Sequence, residues 1–225
     1  MSKILALETS TETCSVALLA GAELLLREER AGQHHSERIL PMIDEVLNEA
    51  GFTPADLDGV AFGAGPGSFT GLRIACGVAQ GLGFALEIPL LPVGTLLALA
   101  EACGGERVVA CQDARMGEIY HGAYLRRDGR WHEISAPSLC SPESAPPLPG
   151  DAWSGCGSGF DRFGERLGRR YAGQLAGVRP GLVPCAREIA RLGAQALALG
   201  GGVAAERAAP LYVRDKVALK MHEQG

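Results

Sequence analysis

Apolar runs and polar turns alternate through the first third of the chain, and that rhythm predicts strand, strand, strand, helix. Ile4 to Leu7 is almost continuously apolar, as a strand buried on both faces would be. Glu8 to Thr13 is polar and turn-like, Cys14 to Leu19 is apolar again, and Gly21-Ala22 turns the chain into Glu23 to Glu29, giving a three-stranded meander. A helix follows, with Ser36 as N-cap and an end near Gly51. Its Ile39, Leu40, Met42, Ile43, Val46, Leu47 and Ala50 fill an arc of roughly 160°. One sheet contact needs only about 100°. The surplus points to a second contact beyond this domain.

Asp58 to Phe62 reads as a short strand running into Gly63-Ala64-Gly65-Pro66-Gly67-Ser68-Phe69-Thr70-Gly71-Leu72-Arg73, where Ser68 opens a long helix. Small and apolar residues surround that helix except along a stripe of Arg73, Gly77, Gln80 and Phe84, with Gly81 beside it. Gly77 and Gly81 stand one turn apart, a spacing that lets another backbone approach closely. Tight packing on the chain's own sheet is the alternative. The partner-contact reading is preferred because Arg73 and Gln80 are poor candidates for complete burial.

Leu90 to Val93 is a strand and Thr95 to Cys103 a helix closed by Gly104-Gly105. A second unit then repeats the plan: strands Arg107 to Gln112 and Glu118 to Arg126 around the turn Asp113 to Gly117, then Trp131 to Ile134 after the Asp128-Gly129 turn. Pro142 to Gly150 is a loop, Ala152 to Cys156 a strand, Asp161 to Tyr171 and Ala186 to Leu199 helices, and Pro210 to Asp215 an extended tail. The division expected is 1–105 for an N-terminal, partner-binding lobe and 106–225 for a smaller C-terminal lobe.

With 225 residues, 47% of them hydrophobic, the chain suffices for one good core or two modest lobes. A net charge of −5 argues against independent nucleic-acid binding. The cluster Arg162, Arg166, Arg169 and Arg170 reads as a solvated helix face. Seven scattered cysteines without a Cys-x-x-Cys pair are the pattern of reduced, buried thiols. No leader is visible, and Gln80, Glu87, Pro89 and Pro92 interrupt the most apolar region, so a soluble, cytoplasmic protein with no membrane span is expected.

Candidate chemistry gathers at the glycine-rich turn. Unpaired amides and the positive dipole end of a helix N-terminus suit an anion or another chain. The turn lacks the Lys-Ser/Thr ending of a P-loop, the third glycine of a dinucleotide fingerprint and the flanking glycines of a nucleophile elbow. Glu8, Thr9 and Ser10, after the first strand, resemble the acid and hydroxyls that face phosphates in two-lobed nucleotide clamps; a plain polar turn is the simpler reading. His34 and His35 lack the i+4 histidine that a helical zinc pair needs. No nucleophile, base and orienting group can be assembled, so no catalytic residue, metal or cofactor is assigned.

Leu7-Glu8-Thr9-Ser10, Gly65 through Arg73, His35-Ser36-Glu37 with Leu40-Pro41, and Pro210 through Arg214 together resemble the bacterial TsaB (YeaZ) family across nearly the whole chain. The resemblance implies an α/β, two-lobed fold like that of actin, sugar kinases and Hsp70 ATPases. It implies a non-catalytic subunit in the cytoplasm that supports TsaD, which moves a threonylcarbamoyl group from its adenylate to N6 of the adenosine next to the anticodon, in tRNAs reading codons that begin with A. The ATPase TsaE joins the larger complex, tRNA is touched only through it, and the chain alone is expected to form a homodimer. TsaD uses a histidine pair; this sequence has His35 but Ile39 at the second position, which weighs against a metallopeptidase. On this reading His35, Ile39, Leu40, Ile43 and Leu47 of the first helix and Arg73, Gly77, Gln80, Gly81 and Phe84 of the second form the partner interface. Glu8, Thr9, Ser10, Gly65, Gly67, Ser68 and Thr70 are then a vestigial nucleotide or anion site. An independent ATPase or kinase of the same superfamily is the alternative.

Overall fold

The computed structural model describes residues 2–214. The end of the expected tail, from Asp215 onward, lies outside the described residues. The first sheet holds β1 (Lys3–Glu8), β2 (Thr13–Ala20), β3 (Glu23–Arg30), β4 (Gly59–Gly65) and β5 (Leu90–Gly94), in the order β3-β2-β1-β4-β5. β1, β2 and β3 form the antiparallel meander, whereas β4 and β5 add in parallel beside β1. Parallel addition needs crossovers, supplied by α1 (His35–Ala50) between β3 and β4 and α2 (Phe69–Leu86) between β4 and β5.

The second sheet repeats this wiring. β6 (Arg107–Asp113), β7 (Ile119–Arg127) and β8 (Arg130–Cys140) are the meander, and β9 (Trp153–Cys156) and β10 (Leu175–Arg179) add in parallel to give β8-β7-β6-β9-β10. α3 (Thr95–Cys103) leads into this sheet, α4 (Ser158–Arg170) connects β9 to β10, and α5 (Ala186–Ala198) follows. No counterpart of α1 separates β8 from β9; the Pro-rich stretch there makes only a short 3-10 turn at Pro142–Ser144. Two five-stranded sheets of the same wiring, with helices on both faces, make the fold α/β, as the sequence suggested.

Four apolar cores separate five layers. α1 and α2 cover the outer face of the first sheet, through Ile39, Met42, Val46, Ala75 and Ala79 against Leu5, Leu7, Val16 and Phe62. α5 covers the inner face, with Ile189 and Ala190 on Ile4, Ala6 and Ala61. α3 fills the inner face of the second sheet, and α4 its outer face. Gly193 explains how closely α5 approaches: a Cβ there would lie 2.6 Å from the Ala61 Cβ. Helix α5, sequentially in the second stretch, therefore packs on the first sheet, a crossing of the expected 105/106 division that local patterning does not reveal.

Three further details differ from the sequence reading. β10 is an exposed edge strand with Gly177 in its middle, too weakly apolar to register as a strand. β8 runs on to Cys140 through alternating polar residues. α2 spans 18 residues at mean hydropathy 1.3, long and apolar enough by length and composition to cross a membrane. Here it lies against β4.

Candidate functional site

The glycine-rich turn is placed by backbone fit. β4 enters it fully buried, a cis bond joins Gly65 to Pro66, and Ser68 caps α2 by accepting from the Gly71 amide at 3.3 Å. The β1–β2 turn presses directly onto it. The Ser68 amide donates to the Ser10 carbonyl at 2.8 Å, and the Thr9 hydroxyl donates to the Gly71 carbonyl at 2.7 Å. A Cβ on Gly71 would collide with the Thr9 carbonyl, and one on Gly67 would lie 2.6 Å from the Ser10 Cβ. Glycine is required at both positions because the two turns touch backbone to backbone. Gly65, at φ 115°, leaves room for the Leu211 carbonyl, 2.7 Å from where its Cβ would be.

Glu8, Thr9, Ser10, Gly65, Gly67 and Ser68 thus converge as the motif suggested, but much of their hydrogen bonding is spent within the chain. Glu8 is completely buried beneath the turn, one oxygen accepting from the Ser10 amide and the other without a partner. Burial pushes its carboxyl above the ordinary carboxylate range. Ser68 and Thr70 are the exposed members of the set, beside a cleft of about 1070 Å³ between the two sheets. Across that cleft runs a chain of ion pairs: Arg30 to Glu12 at 2.6 Å, Arg115 to Glu12 at 3.6 Å and to Asp113 at 3.8 Å, Arg162 to Asp113 at 2.7 Å. Ser10, His35 and Gln112 line it too, each buried and each with one side-chain polar atom lacking a partner.

Sequence reasoning passed over Arg30, Gln112, Arg115 and Arg162. In the sequence Asp113 only opens the turn between two strands, yet β6–β7 occupies in the second sheet the place that β1–β2 holds in the first. The repeated meander was the available signal. Arg162, Arg166, Arg169 and Arg170 are not a free basic face either. Arg162 meets Asp113, Arg166 grips Glu143 through two nitrogens, and Arg170 donates to the Ala145 carbonyl; only Arg169 is left to solvent.

The expected interface residues separate into two groups. Ile39, Ile43 and Leu47 are buried in the core on the first sheet, and His35 is buried beside the cleft, so none of the four is offered outward. Most of the wide arc of α1 is thus spent inside the molecule, and of its expected interface residues Leu40 is left exposed. Gln80 is half-buried and donates to the Ala208 carbonyl at 3.0 Å, so it holds the chain's own tail. Leu40, Arg73, Gly77, Gly81 and Phe84 are exposed, Phe84 by 79%. Among the described residues, His, Cys, Asp and Glu form no cluster of three or more grouped to hold a metal ion.

A family model described as "TsaD: tRNA N6-adenosine threonylcarbamoyltransferase" matches residues 28–220. The Escherichia coli protein named "tRNA threonylcarbamoyladenosine biosynthesis protein TsaB" is 37% identical over 97% of this chain and 97% of its own length. The chain belongs to the TsaB (YeaZ) family. A Haemophilus influenzae protein with the TsaB name is 46% identical over 63% of this chain and 65% of its own. The solved structure titled "YeaZ from Pseudomonas aeruginosa" superposes with a TM-score of 0.87 at 42% identity, covering 94% of this chain and all of that one. A second Pseudomonas aeruginosa structure, titled as having similarity to peptidase YEAZ, gives 0.88 at 41% identity over 95% of this chain and all of its own. TsaB family membership places the chain among proteins named for tRNA threonylcarbamoyladenosine biosynthesis.

Proposed function

We propose that this chain is a non-catalytic subunit that docks on TsaD and supports its transfer of the threonylcarbamoyl group to tRNA. The exposed stripe of α2 carries the proposal. Gly77 and Gly81 sit mid-helix with nothing near the position of a Cβ, so no contact inside the chain calls for glycine there. Each costs the helix about 1 kcal/mol relative to alanine. Close approach of another chain's backbone supplies the missing reason, with Phe84, Leu40 and Arg73 flanking the contact. The filled glycine turn supports a docking rather than a phosphate-handling role. TsaE and tRNA then meet the chain through the assembly, and a second copy occupies the same face when TsaD is absent.

Gly77→Glu tests this by copurification with TsaD and by reconstituting the modification with TsaD, TsaE and the enzyme that supplies the adenylate. Association and modification should both be lost, because bulk and an unpaired charge enter the contact. Gly77→Ala should raise the stability of the isolated chain by up to about 1 kcal/mol while weakening association. Normal copurification of Gly77→Glu would sink the assignment.

A second reading, an independent ATPase or kinase, is favoured by one observation: the open cleft with Arg30, Arg115 and Arg162. Calorimetric titration of the isolated chain with magnesium ATP separates the two. The docking reading expects no saturable heat.

A further inference from the structure

The β7–β8 hairpin neutralises the charge on one of its faces and leaves the other unanswered. Its two-residue turn, Asp128-Gly129, has φ of 50° and 73°, the left-handed pair suited to a tight hairpin, and it sets Arg127 directly opposite Arg130. We propose that the outer face of this hairpin, with Arg107 on the neighbouring strand, holds the phosphate backbone of an RNA strand. The proposal rests on the chain's place in an assembly that works on tRNA, and adds a direct contact away from the α2 stripe.

Strand alternation and register place the side chains. Trp131 points inward, packed on the core that α3 shares with the second sheet, and its indole donates to Glu101 at 2.6 Å. Arg126, opposite Trp131, meets Glu101 at 3.5 Å and lies 5.4 Å from the Trp131 ring centroid. Arg127, Arg130 and His132 therefore point outward. Arg107 shares that outer face with Val109, standing opposite Leu125, which in turn stands opposite His132. The contrast between the faces is one of charge. Inward, Arg126 has a carboxylate and a ring. Outward, Arg127 and Arg130 are exposed and meet no carboxylate among the described residues, and Arg107 donates to the Asp151 carbonyl at 2.9 Å rather than to an acid. Glu106, Asp128, Glu133 and Asp151 are the acids next to them in the chain, and none forms an ion pair with them. Like charges fixed opposite each other on paired strands are destabilising. An anion lying across the pair reverses that.

Spacing and surroundings select the occupant. Successive outward residues on a strand lie about 6.8 Å apart and cross-strand neighbours about 5 Å, so the cations form a row and not a ring around one point. A row suits the repeating charge of a phosphodiester strand better than a single small anion. Protein partners bring an apolar centre to their contacts. Between Met116 and Ile134 no large apolar side chain is exposed to receive one. Phosphates need none, and each guanidinium can offer them paired N–H donors. The net charge of −5 keeps this contact weak in the isolated chain and makes it serve RNA already held by the assembly.

The test titrates the full chain, labelled with nitrogen-15, with a single-stranded RNA oligonucleotide at low salt. Amide shifts are expected at Arg107 and from Arg127 to Arg130. Affinity should fall roughly twentyfold between about 50 and 200 mM salt, as three phosphate contacts to a single strand imply. Arg127→Glu sets an acid opposite Arg130, so it should keep or raise the melting temperature while abolishing the shifts. Arg130→Gln, an exposed neutral change, should lower the logarithmic salt slope by about 0.7 and serves equally if the first variant fails to fold. In reconstituted modification with TsaD and TsaE, both variants should raise the KM for tRNA severalfold and copurify normally. Gly77→Glu should leave the RNA shifts in place, so failure of the docking stripe and failure of this contact are told apart. Four results overturn the proposal: no shifts at the hairpin; shifts that survive Arg127→Glu; equal shifts from a polyglutamate peptide, which makes the occupant an acidic protein; or equal shifts from inorganic phosphate at matched phosphate concentration, which makes this a small-anion site.

Discussion

His121 on β7 has no solvent access, and neither ring nitrogen finds a hydrogen-bond partner. Burial, with Arg170 adding repulsion, lowers its pKa from 6.5 to about 4. Between those values the unfolded chain binds a proton that the folded chain refuses, so stability falls as pH is lowered. The loss between pH 7 and pH 5 should be roughly 2 kcal/mol. Urea unfolding at both pH values checks this, and His121→Leu should remove most of the difference. Glu8 acts in the opposite sense: its folded pKa is raised, so its contribution is full below 4.5 and declines as pH rises through the folded value. It is common to both proteins and cancels in the comparison. At this scale the sequence showed which residues are chemically able and not how they are satisfied. Glu8 read as a residue facing phosphate and is sealed under its own turn; Gly71 and Gly77 look alike in the sequence, yet one faces a carbonyl and the other open space.

Helix α1 was legible in existence, length and apolar face, but not in its cap, since it begins at His35 with Ser36 inside it and no side chain capping its start, nor in what that face meets. Periodicity reports the width of a buried arc without naming the neighbour, and here the arc lies mainly on β2 and β3 with α2 touching it more lightly. Helix α5 makes the point over a longer range. Its first amide, Ala186, donates to the Ser15 hydroxyl at 2.9 Å, a buried bond from α5 to β2. Ser15→Ala leaves that amide unpaired and should cost about 1–3 kcal/mol, measured by thermal or urea unfolding. We propose on the same ground that α5 folds with the first sheet, so residues 1–105 alone lack the cover for Ile4, Ala6 and Ala61.

In the whole molecule, two turns from equivalent places in the repeated sheets face each other across the cleft, and the segment 208–214 runs from α2 to the β6–β7 turn. Arg214 carries the far end of that strap. Arg214→Ala should cost about 1 kcal/mol. It should also speed hydrogen exchange at the Ala114 and Glu118 amides while leaving the α1 amides unchanged, since the loss is confined to one turn. Uniform acceleration across the chain would show that the strap is not a local tie.

The order of the elements except β10, the repeated meander, the glycine-rich strand-to-helix turn and its Ser68 cap were determined by the sequence alone, because each depends on residues within a few positions of one another. Tertiary structure alone decided that α5 returns to the first sheet, that the glycine turn is filled by Thr9 and Ser10, and that one half of the expected interface is core while the other half faces outward. Those outcomes depend on which surfaces meet across long stretches of chain, and a pattern of polar and apolar positions specifies that a face is buried without specifying against what.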